Sequence, residues 1–336
     1  MTEVHPDIKV NLQFEDWSTF WTKLKTQVAS GTTADIIGMQ SGEMPVYAAQ
    51  GIFEPLDSFI ENSEELQFDD FNQAIVEGMT YDGTIYALPY DYGALTLFYN
   101  KNLFDKYDVP YPDKDMTWDG FLERAKQLTH PDENEFGYAI QGNLWNMTPW
   151  IWQNGGEWLT EDEKYVVNDP KIVEALEFVS ELVNVHRVSP TGAELSSNPY
   201  DERWMAGKIG MIIEGPWSII SYKQFADFDF GAQVLPESPK GSNVSFIAGS
   251  GFGISAQSKH KEEAFKAISV LTEKDSLESL AQDGRAYPAR NSAVEVFNEY
   301  NNDIENMELF MTKPNIQVHI GHRRITLRWK RSLIKD

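Results

Sequence analysis

Ile8, Val10, Leu12 and Phe14 alternate with Lys9, Asn11 and Gln13, and this period of two predicts a strand. Trp21, Leu24 and Val28 then recur at helical spacing and stop at Gly31, a helix with one apolar face and a glycine end. Ala34-Asp-Ile-Ile-Gly-Met39 reads as a second, buried strand, and the polar turn Gln40–Glu43 follows it. Pro45–Gln50 and Pro55–Ile60 read as short helical pieces. Tyr81-Asp-Gly-Thr84 is a turn leading into Ile85–Pro89, and Leu95–Tyr99 is a further strand. Thr117 caps a helix with Phe121, Leu122, Ala125 and Leu128 inward, and Phe136–Gln141 is strand-like. Asp169 and Pro170 open a helix whose inner face is Ile172, Leu176, Val179 and either Leu182 or Val183. Phe230–Leu235 and Ser250–Ser255 are strands, and Ala264, Phe265, Ile268 and Leu271 mark one more helix.

The stretch Trp204–Trp217 carries the first chemical signal. Met205-Ala-Gly207 ends a helix, Ile209–Ile213 is a β-branched apolar run, and Glu214-Gly-Pro-Trp217 breaks it. A carboxylate and an indole therefore sit at the C-terminal end of a predicted strand, where open α/β sheets bind ligands. An acid that accepts from hydroxyls beside a flat ring that covers a C–H face suits a polyhydroxylated ligand. The alternative is a core tryptophan beside a structural turn.

Strands alternating with helices predict an α/β protein with mostly parallel sheets. At 336 residues the chain can bury two cores, so two lobes are expected. A hydrophobic content of 41% excludes general disorder, and a net charge of -24 argues against nucleic-acid binding. No cysteine is present, which removes disulfides, thiolate–zinc sites and thiol catalysis. No Ser-His-Asp or phosphate-loop arrangement stands out, and the histidines form no metal pattern in the body of the chain, so neither cofactor nor metal nor catalytic residue is expected. No apolar run approaches the ~20 residues of a membrane span. No signal segment precedes His5, so any targeting segment is expected to be absent from this chain. Residues 317–336 hold six Lys/Arg and one acid, against the acidic balance elsewhere.

Seven short stretches, in order, carry a family resemblance. They are Pro6-Asp-Ile-Lys-Val10, Ala34-Asp-Ile-Ile37, Asp82-Gly-Thr-Ile-Tyr-Ala-Leu-Pro-Tyr-Asp91 running into Phe98-Tyr-Asn-Lys101, Thr117-Trp-Asp119, Trp152-Gln-Asn-Gly-Gly156, Gly207-Lys-Ile-Gly-Met-Ile-Ile-Glu-Gly-Pro-Trp217, and Tyr287-Pro-Ala-Arg290. Together they resemble the extracellular solute-binding proteins of carbohydrate ABC importers, the group that includes the maltose-binding protein. The resemblance covers roughly residues 6–316. It implies two α/β lobes, with residues 1–92 and 249–313 in the first, 93–248 in the second, and a divergent basic tail over 314–336. Crossings are implied near Tyr92–Ala94, Ile247–Gly249 and Pro314, with a sugar held in the cleft between the lobes. It further implies a membrane permease as partner, no nucleic-acid partner, a monomer, and a place in the bacterial periplasm or on the outer face of the cell membrane through a lipid anchor this chain lacks. Two departures stand out: the family's first strand is missing before Pro6, and the chain ceases to match after Ile316. A shortened start and an altered end are therefore expected.

Candidate ligand contacts follow from the resemblance and the residues together. Trp145 and Trp150 lie where the family places aromatic platforms, with Trp152 and Trp158 nearby, and core packing is the alternative for each. Asp91 ends a strand beside a crossing and can accept hydroxyl donors, or cap a turn. Gln40, Ser41 and Glu43 fill the loop that the maltose-binding protein uses for hydroxyl contacts, although the residue types differ here, and Glu43 equally suits a solvated helix start. Gly251, central in Gly249-Ser-Gly-Phe-Gly253, suits close backbone approach to a ligand or hinge better than a phosphate loop. Arg285, with Tyr287 and Arg290, can reach an anionic substrate or hydroxyls, or make ion pairs in an acidic chain.

The expected function is capture of a sugar or oligosaccharide for an importer, without chemistry. One rival is a glycoside hydrolase using Glu214 and Asp91, which needs a carboxylate separation of ~5–9.5 Å. Another keeps the fold and changes the ligand to a polyamine, phosphodiester or peptide.

Overall fold

The computed structural model describes residues 4–160, 164–245, 247–285 and 287–306, and the backbone of 318–320 and 323–325. Its strands are β1 (Ile36–Gln40), β2 (Thr80–Tyr81), β3 (Thr84–Ile85), β4 (Ala87–Ala94), β5 (Thr96–Asn100), β6 (Phe136–Tyr138), β7 (Ile209–Glu214), β8 (Phe230–Gln233), β9 (Ile247–Ile254), β10 (Tyr287–Pro288), β11 (Val318–Ile320) and β12 (Arg323–Ile325). The chain divides into two compact units. The first holds the residues up to Tyr92 with Ala248–Asp283 and Tyr287–Phe297, and the second holds Gly93–Ile247, Gly284, Arg285 and the described residues from Asn298 onward. The stretch 249–313, expected in one lobe, is thus shared between the units. The expected third crossing at Pro314 lies outside the described residues.

The first unit carries a four-stranded sheet in the order β1-β9-β4-β10. The β1 burial alternates as its pattern requires, with Ile37 and Met39 inward. Phe53, Leu56, Ile75, Met79 and Leu88 complete the core with the helix Lys261–Leu271, which buries Ala264, Phe265, Ala267 and Ile268. The hairpin β2–β3 turns at Asp82 and Gly83, both at positive φ, the geometry a two-residue loop needs to match strand twist. Arg290 fastens this unit from inside. Its guanidinium donates to the carbonyls of Thr272, Gln67 and Leu66 and to the Asp70 carboxylate, and it lies 4.1 Å from the Phe71 ring centroid. That is a structural role, not the ligand contact considered for it from sequence.

The second unit carries a sheet in the order β6-β7-β5-β8. Helix Trp118–Gln127, capped by Thr117, packs Trp118 and Phe121 against Trp150, Tyr138 and Phe178. Helix Leu144–Gln153 packs on Pro170–Asn184, which buries Ile172, Val179 and Leu182 of its predicted stripe together with Ala175, while Leu176 is half-buried.

The α/β architecture stands, but two strand-level expectations do not. β6–β7 is a parallel pair, whereas β1–β9, β4–β10, β5–β7 and β5–β8 are antiparallel, so the sheets are not mostly parallel. The chain enters the second unit through β4 and β5 and returns through β9, and a returning strand runs against its neighbour. Alternation of element types says nothing about that direction. Second, Ile8–Phe14 is not a strand: Val10, Leu12 and Phe14 are exposed to 36%, 68% and 83%, and no described strand pairs with the segment. Alternation yields a strand only where a neighbour satisfies the backbone.

Candidate functional site

In the second unit the buried strand β7 delivers Glu214 to its end, and Gly215-Pro216 turns the chain so that Trp217 folds back. The Glu214 carboxylate is enclosed, and its two oxygens have separate duties. Oε1 accepts from the Gly215 amide at 2.9 Å and from the Trp217 indole Nε1 at 2.7 Å; Oε2 accepts from the Tyr200 hydroxyl at 2.5 Å. A Cβ on Gly215 would sit 2.2 Å from the Trp217 ring, so a side chain there would displace the indole from its present place. The result is an indole pinned edge-on to a carboxylate and lying half-buried. Trp145 lies beside it, its ring centroid 6.0 Å from that of Trp217 and its plane tilted by 60°.

Burial pushes the Glu214 carboxyl above its ordinary value; the donors Tyr200, Gly215 and Trp217 act the other way, and the Asp201 charge adds to the rise. Burial and the facing Glu214 charge raise both Tyr200 and Tyr222, so each remains a neutral phenol. Tyr200 is missing from the sequence reading. Its only cue is position, in the helix Tyr200–Met205 that precedes β7.

In the first unit, two predicted residues fix the start of β9. The Ser41 hydroxyl accepts from the Gly249 amide at 3.3 Å, while the Ser41 amide donates to the Gly249 carbonyl at 2.9 Å. Asp91, 3% exposed, accepts from the Ser250 amide at 2.6 Å. Gln40 caps its own loop by accepting from Gly42, and Glu43 is exposed at the start of helix Met44–Ala49 without capping it. A half-buried stacked pair that sequence missed, Tyr90 on Phe252 at 4.8 Å, joins β4 to β9. Its signal was the aromatic between two glycines at Gly251-Phe-Gly253.

Two expected contacts are overturned by packing. Trp150 is 1% exposed, surrounded by Trp118, Phe121, Tyr138 and Phe178, and presents no face to a ligand. Gly251 faces the inside of its own sheet, where a Cβ would meet the Leu88 carbonyl at 2.8 Å and the Met79 sulfur at 3.0 Å. Trp152 is buried as well, and the half-buried Trp158 donates its Nε1 to Thr148. Arg285 is half-buried in the second unit. Among the described residues no cluster of three His, Cys, Asp or Glu can hold a metal ion, and no helix is long and apolar enough to cross a membrane.

The model of the bacterial extracellular solute-binding protein family matches residues 2–278. The chain belongs to that family. Among similar solute-binding proteins, a binding protein of Brucella abortus is 25% identical over 276 residues, covering 81% of this chain and 66% of its own length. The lactose-binding protein of Rhizobium radiobacter is 26% identical over 286 residues, covering 82% of this chain and 65% of its own. The chain thus spans just under two thirds of these relatives. An ABC substrate-binding protein from Listeria monocytogenes, solved in complex with cycloalternan, superposes with a TM-score of 0.87 at 28% identity over 92% of this chain and 80% of that one. The family is a solute-binding class rather than an enzymatic one, and it is extracellular and bacterial.

Proposed function

We propose that this chain captures a sugar or oligosaccharide for an ABC importer, and the observation that carries the reading is the Trp145–Trp217 pair. Two half-buried indoles inclined to each other offer flat, uncharged faces, which suit the C–H faces of a neutral ring better than they suit an ion. Gln40, Glu43 and Arg285 are the polar side chains proposed to meet hydroxyls; Glu214, Ser41 and Asp91 already hold backbone or indole groups and set the shape around them. On this reading the ligand-bound form is what a membrane permease receives. Action as a monomer and attachment to the membrane through a lipid anchor belong to the same proposal. The name of the lactose-binding relative and the cycloalternan complex of the structural one favour a saccharide.

The hydrolase rival asks Glu214 to serve as acid or base, yet three internal donors already occupy its oxygens. A thermal-shift screen with cycloalternan, lactose and maltotriose against spermidine and glycerophosphocholine tests the proposal. A saccharide at a hundred times its Kd should stabilise the chain by ~2.7 kcal/mol, seen as a raised midpoint. A cooperative melt that answers only to spermidine or glycerophosphocholine would overturn it, and monosaccharide released from cycloalternan would restore the hydrolase.

A further inference from the structure

We propose that Glu214 is a positioning residue whose ionisation fixes the indole of Trp217, so that the aromatic face is held in place when the carboxylate is charged and loosened when it is protonated. The inference rests on the reading of Trp217 as a ligand platform only for its effect on affinity; the positioning itself is a property of the unliganded chain.

The geometry argues for it in three steps. First, one carboxylate oxygen takes two donors, the Gly215 amide and the Trp217 Nε1. The turn Gly215-Pro216 gives the indole its approach, and Glu214 holds its edge. Second, hydrogen bonds to an ionised acceptor are roughly twice as strong as neutral ones, so adding a proton weakens the hold without removing any atom. Third, the surroundings accommodate either form. The proton would go to Oε2, where Tyr200 can reverse its hydroxyl and accept.

The groups facing Glu214 are few. Helix Tyr200–Met205 contributes Tyr200 and the Asp201 charge, helix Ile219–Phe225 contributes Tyr222, and β5 contributes Thr96. No cation among them offsets burial, and the carboxyl is accordingly held above its ordinary range.

The test reads the indole nitrogens. Chain labelled with 15N-tryptophan gives ten indole signals to assign, and Trp217→Phe identifies that of Trp217. Between pH 7.5 and pH 4.5 the Trp217 signal should move through one inflection above the ordinary glutamate range while the other indoles hold still. In Glu214→Gln that inflection should vanish, with the other signals unchanged as proof of fold. In Tyr200→Phe, which removes a donor that favours the charged form, it should move to higher pH. A Trp217 signal that does not respond to pH, or one that titrates identically in Glu214→Gln, overturns the proposal. With cycloalternan as probe, affinity should fall about threefold or more below the inflection in the native chain and stay level in Glu214→Gln. Absence of any cycloalternan binding counts against that saccharide and leaves the indole titration to decide the positioning; equal pH dependence in both chains overturns the link to affinity.

Discussion

Trp217 keeps its indole half-buried beside Trp145, whereas Trp150 is enclosed by four aromatic neighbours, and truncating each should fail in its own way. Trp217→Ala removes a face but little core. Calorimetric titration with a saccharide that shifts the melt should show about tenfold or greater loss of affinity, with the unfolding midpoint nearly unchanged. Trp150→Ala leaves a cavity in the second unit and should cost roughly 3–5 kcal/mol in urea unfolding, with any affinity loss following the unfolded fraction. The opposite pattern would exchange the roles of the two residues. Composition cannot separate these tryptophans. What separates them is that Trp217 follows a strand-ending glycine and proline, while Trp150 lies on the inner face of a helix.

At the level of elements, several of the stretches that carry the family resemblance do packing work in this chain. In Phe98-Tyr-Asn-Lys101, Asn100 is buried and ends β5, where its side chain accepts from the Leu103 amide and caps the helix Lys101–Lys106. Asn100→Ala should cost about 1–2 kcal/mol in chemical unfolding, and Asn100→Asp, which keeps the acceptor, should recover much of it. Equal losses would assign the residue's worth to its contact with the Gly207 carbonyl instead. Likewise in Trp152-Gln-Asn-Gly-Gly156, Gln153 accepts from Trp118 Nε1 and donates to Val244, so the motif is a junction between elements. Such caps, turns and stripes were legible because their signals are local: Thr117 and Asp169 each cap the helix that begins beside them. Strand direction and the fate of Ile8–Phe14 were not, because both depend on which distant strand lies alongside. The site was half legible for the same reason. Glu214 and Trp217 are three residues apart and visible together, whereas Tyr200 and Thr96 meet Glu214 only through the fold.

Across the whole molecule, buried carboxylates pull the pH dependence of stability in opposite directions. Burial alone would raise Glu135, but Lys106, Tyr107 and Lys208 outweigh it and hold its carboxyl below the ordinary 4.5. A depressed carboxyl contributes stability that is present above the unfolded value and lost as pH falls through the folded one. Glu214 is raised, so its contribution is fully present below the ordinary 4.5 and is lost as pH rises through its folded value. The two therefore predict slopes of opposite sign. Relative to Glu135→Gln, the native chain should lose stability on acidification below about 4.5; relative to Glu214→Gln, it should gain stability as pH descends toward that value. Melting each pair across the acid range checks both, and equal slopes would show that neither carboxylate is shifted as its surroundings require. Binding follows the opposite course at Glu214. The proton that stabilises the fold is the one that loosens Trp217, so a moderately acid medium should yield a chain that melts higher and holds saccharide less tightly. General acid unfolding lowers both quantities together, and this divergence distinguishes Glu214 from it.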